Sequence, residues 1–222
     1  MPSCCDFLNA ADRQFTSDKA AKELRAYQKG HVGTTTRLLR DGVVELGLSE
    51  GSLLDIGGGV GTLTFELLER GMDSAVVADA SIAYVRAARE EAIRRDQSGS
   101  VRILYGDVLQ LSKELPTVSL VTLDRVVCCY PSYQPILEEA TRHAERAIAL
   151  SYPRDHWFVR AAMWVENARR ARKSGFRTFV HSPASIHEAI EQAGFQLARR
   201  RSTTMWTADI YVRRHGVVHS RL

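Results

Sequence analysis

The sequence predicts an α/β domain, a three-layer sandwich around a seven-stranded, mostly parallel sheet whose last strand runs antiparallel. Three observations carry this. From Ser52 onward, short apolar runs alternate with helical stretches of roughly 10–15 residues, the pattern of successive strand–helix–strand units. A glycine-rich turn, "DIGGGVG" (Asp55 to Gly61), joins the first of those strands to the first helix. The last two strands are separated only by "TMW", so they must fold back as an antiparallel hairpin.

The elements follow in order. Ala10 to Leu46 reads as helix, with a Ser17-Asp18 start and a stop at Gly30, and then a second amphipathic segment. We assign residues 1–48 to an N-terminal helical cap and 49–222 to the α/β domain. "SLLDI" (Ser52 to Ile56) is the first strand and Thr62 to Gly71 a helix closed by glycine. "SAVVAD" (Ser74 to Asp79) is a strand, and Ser81 to Asp96 a strongly helical segment with a serine cap. "VRILYGD", the helix "VLQLSKEL" and the strand "VSLVTLDRVV" follow. The helix "QPILEEATRHA" and the strand "RAIALSYP", stopped by Pro153, complete the alternation. A helix closing at Gly194 and the strands "FQLARRRST" and "TADIYVRR" end the series.

Composition bounds the function. The 222-residue chain is long enough for one sizeable core, and 45% hydrophobic with 25% charged residues is ordinary for a globular protein. No apolar run approaches the ~20 residues of a membrane-crossing helix, and the N-terminus lacks the order of a signal peptide. A cytoplasmic protein with no membrane partner and four reduced cysteines is therefore expected. The net charge of +4 is concentrated in "ENARRARKSGFR" and "LARRRS". Such stretches fit a phosphate or nucleic-acid patch, or simply solvated faces; without aromatics interleaved on the same face, nucleic acid is disfavoured.

The chemistry sits at the carboxyl ends of the strands. In "LLDIGGGVGTLTFELL", Asp55, Gly57, Gly59 and Gly61 form D-x-G-x-G-x-G. A dinucleotide site prefers G-x-G-x-x-G, whose third position here is Thr62, and Asp55 would repel a pyrophosphate. An acid in that turn suits a ligand with a positive group. Asp79 can accept hydrogen bonds from two ribose hydroxyls, and Asp107 from an exocyclic amine. Together the three acids end successive strands and line one crevice.

On "LLDIGGGVG", "VVADAS", "YGDV", "SLVTLDRVV" and the late "IEQAGF" with its hairpin, the sequence resembles the class I S-adenosylmethionine-dependent methyltransferases, with a looser likeness to the magnesium-protoporphyrin O-methyltransferase branch. The resemblance spans about Ser52 to Arg213 and implies a Rossmann-like fold. It implies that Gly57, Gly59 and Gly61 approach the methionine part, Asp79 the ribose and Asp107 the adenine. Asp55, Ala80, Val108 and Asp124 complete the implied cofactor set, with S-adenosylhomocysteine as product. The implied activity is methyl transfer to a small molecule; an RNA methyltransferase or a non-catalytic cofactor-binding protein are the alternatives.

"LDRVVCCYP" places Cys128 and Cys129 where the fourth strand should meet the substrate. Relatives of that family often carry histidine there. Adjacent cysteines chelate poorly, and a zinc site would need Cys4 and Cys5 to fold back, so we expect no metal and assign the pair to substrate binding, with His31 beside it under a helical lid. A base serves only an acceptor that must lose a proton; Tyr130 and His156 are the catalytic candidates, and His181 is expected to cap or pack. Trp157, Ala161, Trp164, Val165 and Ala168 share one helical stripe, a pattern that usually faces a core, and here could cover the substrate.

Overall fold

The computed structural model describes residues 4–214, with side chains from Phe7 onward. Helices α1 (Cys4–Gln14), α2 (Ser17–Gln28) and α3 (Thr34–Glu45) precede β1 (Gly51–Ile56), α4 (Thr62–Leu68), β2 (Met72–Asp79) and α5 (Ile82–Arg94). Then come β3 (Val101–Tyr105), α6 (Val108–Leu111), β4 (Val118–Asp124), α7 (Gln134–His143), β5 (Ala144–Pro153) and α8 (Trp157–Ala171). Helix α9 (Pro183–Gln192), β6 (Phe195–Ser202) and β7 (Trp206–Arg213) finish the domain. The seven strands lie in the order β3-β2-β1-β4-β5-β7-β6. β1 to β5 pair in parallel, and β7 runs antiparallel to both its neighbours, β5 and β6. The predicted Rossmann-like sandwich is the fold observed.

Both faces of the sheet are buried, which is why its strands read as continuous apolar runs rather than alternating ones. Neighbouring residues divide between the layers: Leu53 packs with Leu39, Val43, Phe65 and Val85 on one face, Leu54 with Ile136, Leu137, Ile186 and Ile190 on the other. The first layer includes α3. Leu39 and Val43 are fully buried beside Leu120, Ala147 and Ile210, and Gly42 lies so near Ile210 that a Cβ would stand 2.5 Å from its Cδ1. Within residues 1–48, α3 packs as part of the sandwich, and Tyr27 of α2 joins the same buried cluster.

Two sequence boundaries shift for identifiable reasons. The strand expected through Val127 stops at Asp124, because Arg125 takes a left-handed φ of 63° and gives its N–H to Ser151 Oγ at 2.9 Å. The following residues, Val127–Cys129, form a 3₁₀ turn. The helix expected over "VLQLSKEL" is α6 followed by a 3₁₀ turn at Ser112–Glu114. The N-terminal helical region also starts earlier, at Cys4 rather than Ala10.

The strand order reverses between β1 and β4. At such a switch point the connections leave in opposite directions and open a crevice at the carboxyl ends of the strands.

Candidate active site

The crevice begins with the turn from β1 into α4. Gly57, Gly59 and Gly61 adopt φ of 64°, 60° and 84°, a region that side chains disfavour. Space excludes them too: a Cβ on Gly57 would come 2.5 Å from Val126 Cγ2. The Gly57 N–H donates to Ala78 O at 2.6 Å, pinning the turn against β2.

Asp55 lies beneath this turn, almost completely buried. Its two oxygens accept from Thr64 Oγ1 and Thr122 Oγ1, each at 2.7 Å. Burial raises its pKa to about 6, against the pull of the two hydroxyls. The carboxylate joins α4 and β4 to the turn from below.

Asp79, at the end of β2, accepts from the N–H of Gly59 at 2.9 Å and of Ser81 at 2.8 Å. Burial lifts this carboxyl to about 6, partly offset by those two amides. Each of its oxygens has a further lone pair for a ligand hydroxyl. Ala80 is the half-buried residue between Asp79 and the Ser81 cap of α5. Asp107 caps α6 through Leu109 N at 3.1 Å and accepts from Tyr130 O–H at 2.8 Å; Val108 beside it belongs to the core. Asp124 accepts from Thr36 Oγ1 of α3 and Ser151 Oγ of β5, both at 2.6 Å.

The two residues expected to exchange protons stand differently. The Tyr130 hydroxyl donates to Asp107, and burial with that neighbouring carboxylate pushes its pKa well up. The phenol expected to serve as a base is engaged here as a donor to Asp107. Tyr130→Phe should therefore lower stability or cofactor affinity by about 1 kcal/mol while kcat stays within a fewfold. Steady-state kinetics check this, and a collapse of kcat with an unchanged KM for the cofactor would restore the base. His156 precedes α8, is exposed, and stacks on Phe158 with ring centroids 5.5 Å apart. His31 is exposed in the turn between α2 and α3. Among the described residues, no side-chain bond joins either histidine to the crevice. His181 does pack there, as expected: its Nε2 lies 2.9 Å from Tyr130 O.

Cys128 is 2% exposed and directs its thiol to Arg125 O at 3.3 Å. Cys129, only partly buried, is the member of the pair nearer the surface, and the adjoining Cys128 with burial raises its pKa well above the usual range. Cys129 is therefore not disposed to ionise. No cluster of three or more potential metal ligands occurs among the described residues. The side chains of Cys4 and Cys5, the partners a zinc site would require, lie outside the described residues.

Sequence reading missed the roof of the crevice. On α1, Asp12 accepts from Ile82 N at 2.8 Å and from Tyr105 O–H at 2.9 Å, bridging the segments that follow β2 and end β3. Phe7 lies over Tyr130 at 4.8 Å between centroids, and Phe15 meets Tyr84 and Phe176 edge-on. Ser81 Oγ donates to Phe15 O. The Asp12 contacts close loops of 70 and 93 residues, so no local pattern announces them. At the opposite, amino end of the strands a shallow cleft of about 340 Å³ is lined by Ser52, Ser74, Ser100, Arg102 and Thr117, a set without an acid–base pair.

A switch-point crevice with a glycine turn after β1 and acids ending β2 and β3, in this strand order, is the arrangement that the sequence's resemblance to class I S-adenosylmethionine-dependent methyltransferases implies. Residues 53–147 match the family model described as a methyltransferase domain. Among solved structures the chain is similar to magnesium protoporphyrin IX methyltransferase from Synechocystis with bound S-adenosylmethionine: 21% identity over 96% of this chain and 100% of that one, TM-score 0.70. The same protein with bound S-adenosylhomocysteine gives 22% identity, 81% and 82% coverage, and TM-score 0.67. An O-methyltransferase family protein from Burkholderia thailandensis is 18% identical over 82% of this chain and 57% of that one, with TM-score 0.66. These likenesses bear on the fold. No curated protein matches the sequence.

Proposed function

We infer that this enzyme moves a methyl group from S-adenosylmethionine to a small-molecule acceptor. The observation that carries the reading is the set of Asp79 and Asp107 beside the glycine turn, roofed by α1. A carboxylate-only set suits a ligand bearing a sulfonium and an ammonium, and a turn that excludes Cβ atoms suits its close approach. When bound, the cofactor supplies an electrophilic methyl on a sulfonium sulfur. Asp79 takes the ribose hydroxyls, Asp107 the adenine amine, and Tyr130 steadies Asp107. Phe7 and Phe15 keep water from the covered end of the crevice. Transfer then needs alignment of acceptor and methyl more than acid–base chemistry.

The small-molecule acceptor is favoured over RNA by the fate of the arginines in "LARRRS". Arg200 is bound bidentately by Asp209, and Arg199 and Arg201 both pair with Glu45. Each arginine of that stretch is thus held by a carboxylate, two of them sharing Glu45, which leaves less free charge for phosphates.

Calorimetry tests the cofactor: S-adenosylhomocysteine should bind, and NAD should not. Affinity should fall by up to about tenfold per pH unit below pH 6, because Asp79, with its pKa raised to about 6, loses its charge there. The same shift acts oppositely on the empty fold. A carboxyl that holds its proton more tightly when folded favours the folded state as pH falls from 6 toward 4, so Asp55 and Asp79 do not account for any acid unfolding in that window. Binding of NAD alone would overturn the reading. Labelled cofactor incubated with a metabolite extract, with magnesium protoporphyrin as one defined acceptor, identifies what becomes methylated; label recovered only in RNA would favour the alternative.

A further inference from the structure

Helix α8 is packed with its polarity reversed. A surface helix normally turns its apolar stripe to the core. Here the inward side carries Val159, Met163, Glu166, Asn167 and Arg170, and only Val159 is buried. The helix is held down by polar bonds to the segment that follows it: Asn167 Nδ2 donates to Thr178 O at 2.7 Å, Asn167 Oδ1 accepts from Thr178 N at 2.9 Å, and Thr178 Oγ1 donates to Met163 Sδ at 3.4 Å. The stripe of Trp157, Ala161, Trp164, Val165 and Ala168 faces solvent, with Trp157 81% and Trp164 72% exposed. The stripe thus neither lies against a core nor turns inward over the substrate, contrary to both placements expected from its pattern.

The flank of that stripe is basic. An open depression of about 550 Å³ beside Trp164 is lined by Val165, Ala168, Arg169, Arg172 and Lys173. Arg172, Lys173 and the following Arg177 are exposed and have no acidic partner among the described residues, while Arg169 has only Glu166, 3.9 Å away. Two tryptophans beside an aliphatic strip and unpaired cations make the composition of a helix that lies in a membrane interface, indoles at headgroup level and cations on anionic headgroups. A second copy of the chain would bring the same cations together across a twofold axis, which charge opposes. With 15 residues, α8 is too short to cross a bilayer, and no helix among the described residues is long and apolar enough to do so. A membrane partner at this face departs from the expectation that the protein has none.

We propose that α8 docks the protein on the surface of an anionic lipid bilayer, through Trp157 and Trp164 with Arg172 and Lys173 beside them. The test uses the full chain and two vesicle preparations, pure phosphatidylcholine and a phosphatidylcholine–phosphatidylglycerol mixture. Sedimentation should find the protein with the anionic vesicles and not with the neutral ones, with a blue shift of tryptophan emission. Trp157→Ser/Trp164→Ser and Arg172→Glu/Lys173→Glu should each reduce partitioning at least about tenfold. All four side chains are exposed, so an unchanged thermal unfolding midpoint serves as the folding control. No partitioning to anionic vesicles, or partitioning indifferent to both double variants, overturns the proposal. So does a concentration-dependent dimer abolished by the tryptophan changes, or low-salt RNA binding abolished by the charge reversals, when lipid binding is absent.

Discussion

Asp209→Ala should cost about 3–5 kcal/mol of folding stability, a large share of the total for a domain of this size. Asp209 is fully buried in β7, yet four donor groups converge on it. Arg200 of β6 binds both oxygens, at 2.7 and 2.8 Å, Tyr152 O–H of β5 donates at 2.6 Å and Tyr211 O–H at 3.3 Å. One carboxylate thus ties the strand to both its neighbours. Without it, two buried phenols lose their acceptor and a cavity opens in the sheet. Arg200→Ala should cost distinctly less, because the Arg200 side chain is 43% exposed and its charge is partly solvated already. Urea unfolding of both variants measures the difference. A loss under about 1 kcal/mol for Asp209→Ala would mean that the strands are held by packing and backbone bonds alone.

Asp79→Ala should weaken binding of S-adenosylhomocysteine by roughly 1.5–3 kcal/mol, or about 10–150-fold. Two losses combine: the ribose loses a charged acceptor, and the N–H groups of Gly59 and Ser81 lose the carboxylate that orients them. Asp79→Asn separates these, since the amide oxygen still accepts from one N–H but carries no charge. It should fall between wild type and alanine, and it should lose the pH dependence near 6. Unchanged affinity in a folded Asp79→Ala protein would place the ribose elsewhere.

What the sequence made legible follows from local physics. Strand–helix alternation, the glycine turn and the acids at strand ends are patterns within a few residues, so Asp55, Asp79 and Asp107 could be assigned to one end of the sheet from sequence alone. The rest depends on contacts closed over long loops. The break at Arg125 is fixed by Ser151, the state of Tyr130 by Asp107, and the roof by Asp12. The stripe on α8 teaches the sharper lesson. Periodicity identified which residues share a face, but not which way that face turns. Orientation was decided by Asn167 and Thr178, whose bonds leave no trace in hydropathy. The Cys128 thiol likewise turns to Arg125 O because of a 3₁₀ turn that the apolar run "RVVCC" does not signal.

The position of β7 also has a consequence for biosynthesis. Sequence places β6 before β7, but in the sheet β7 separates β6 from β5. As the polypeptide leaves the ribosome, β6 has no neighbour to join until Trp206–Arg213 emerges. For that interval β5, with Ala147 to Leu150 fully buried in the finished protein, keeps one side of its backbone unpaired. At about 5–20 residues per second the exposure lasts on the order of seconds, time enough for other nascent chains to pair with it. Of the described strands, the last one made is the one that seals the sheet.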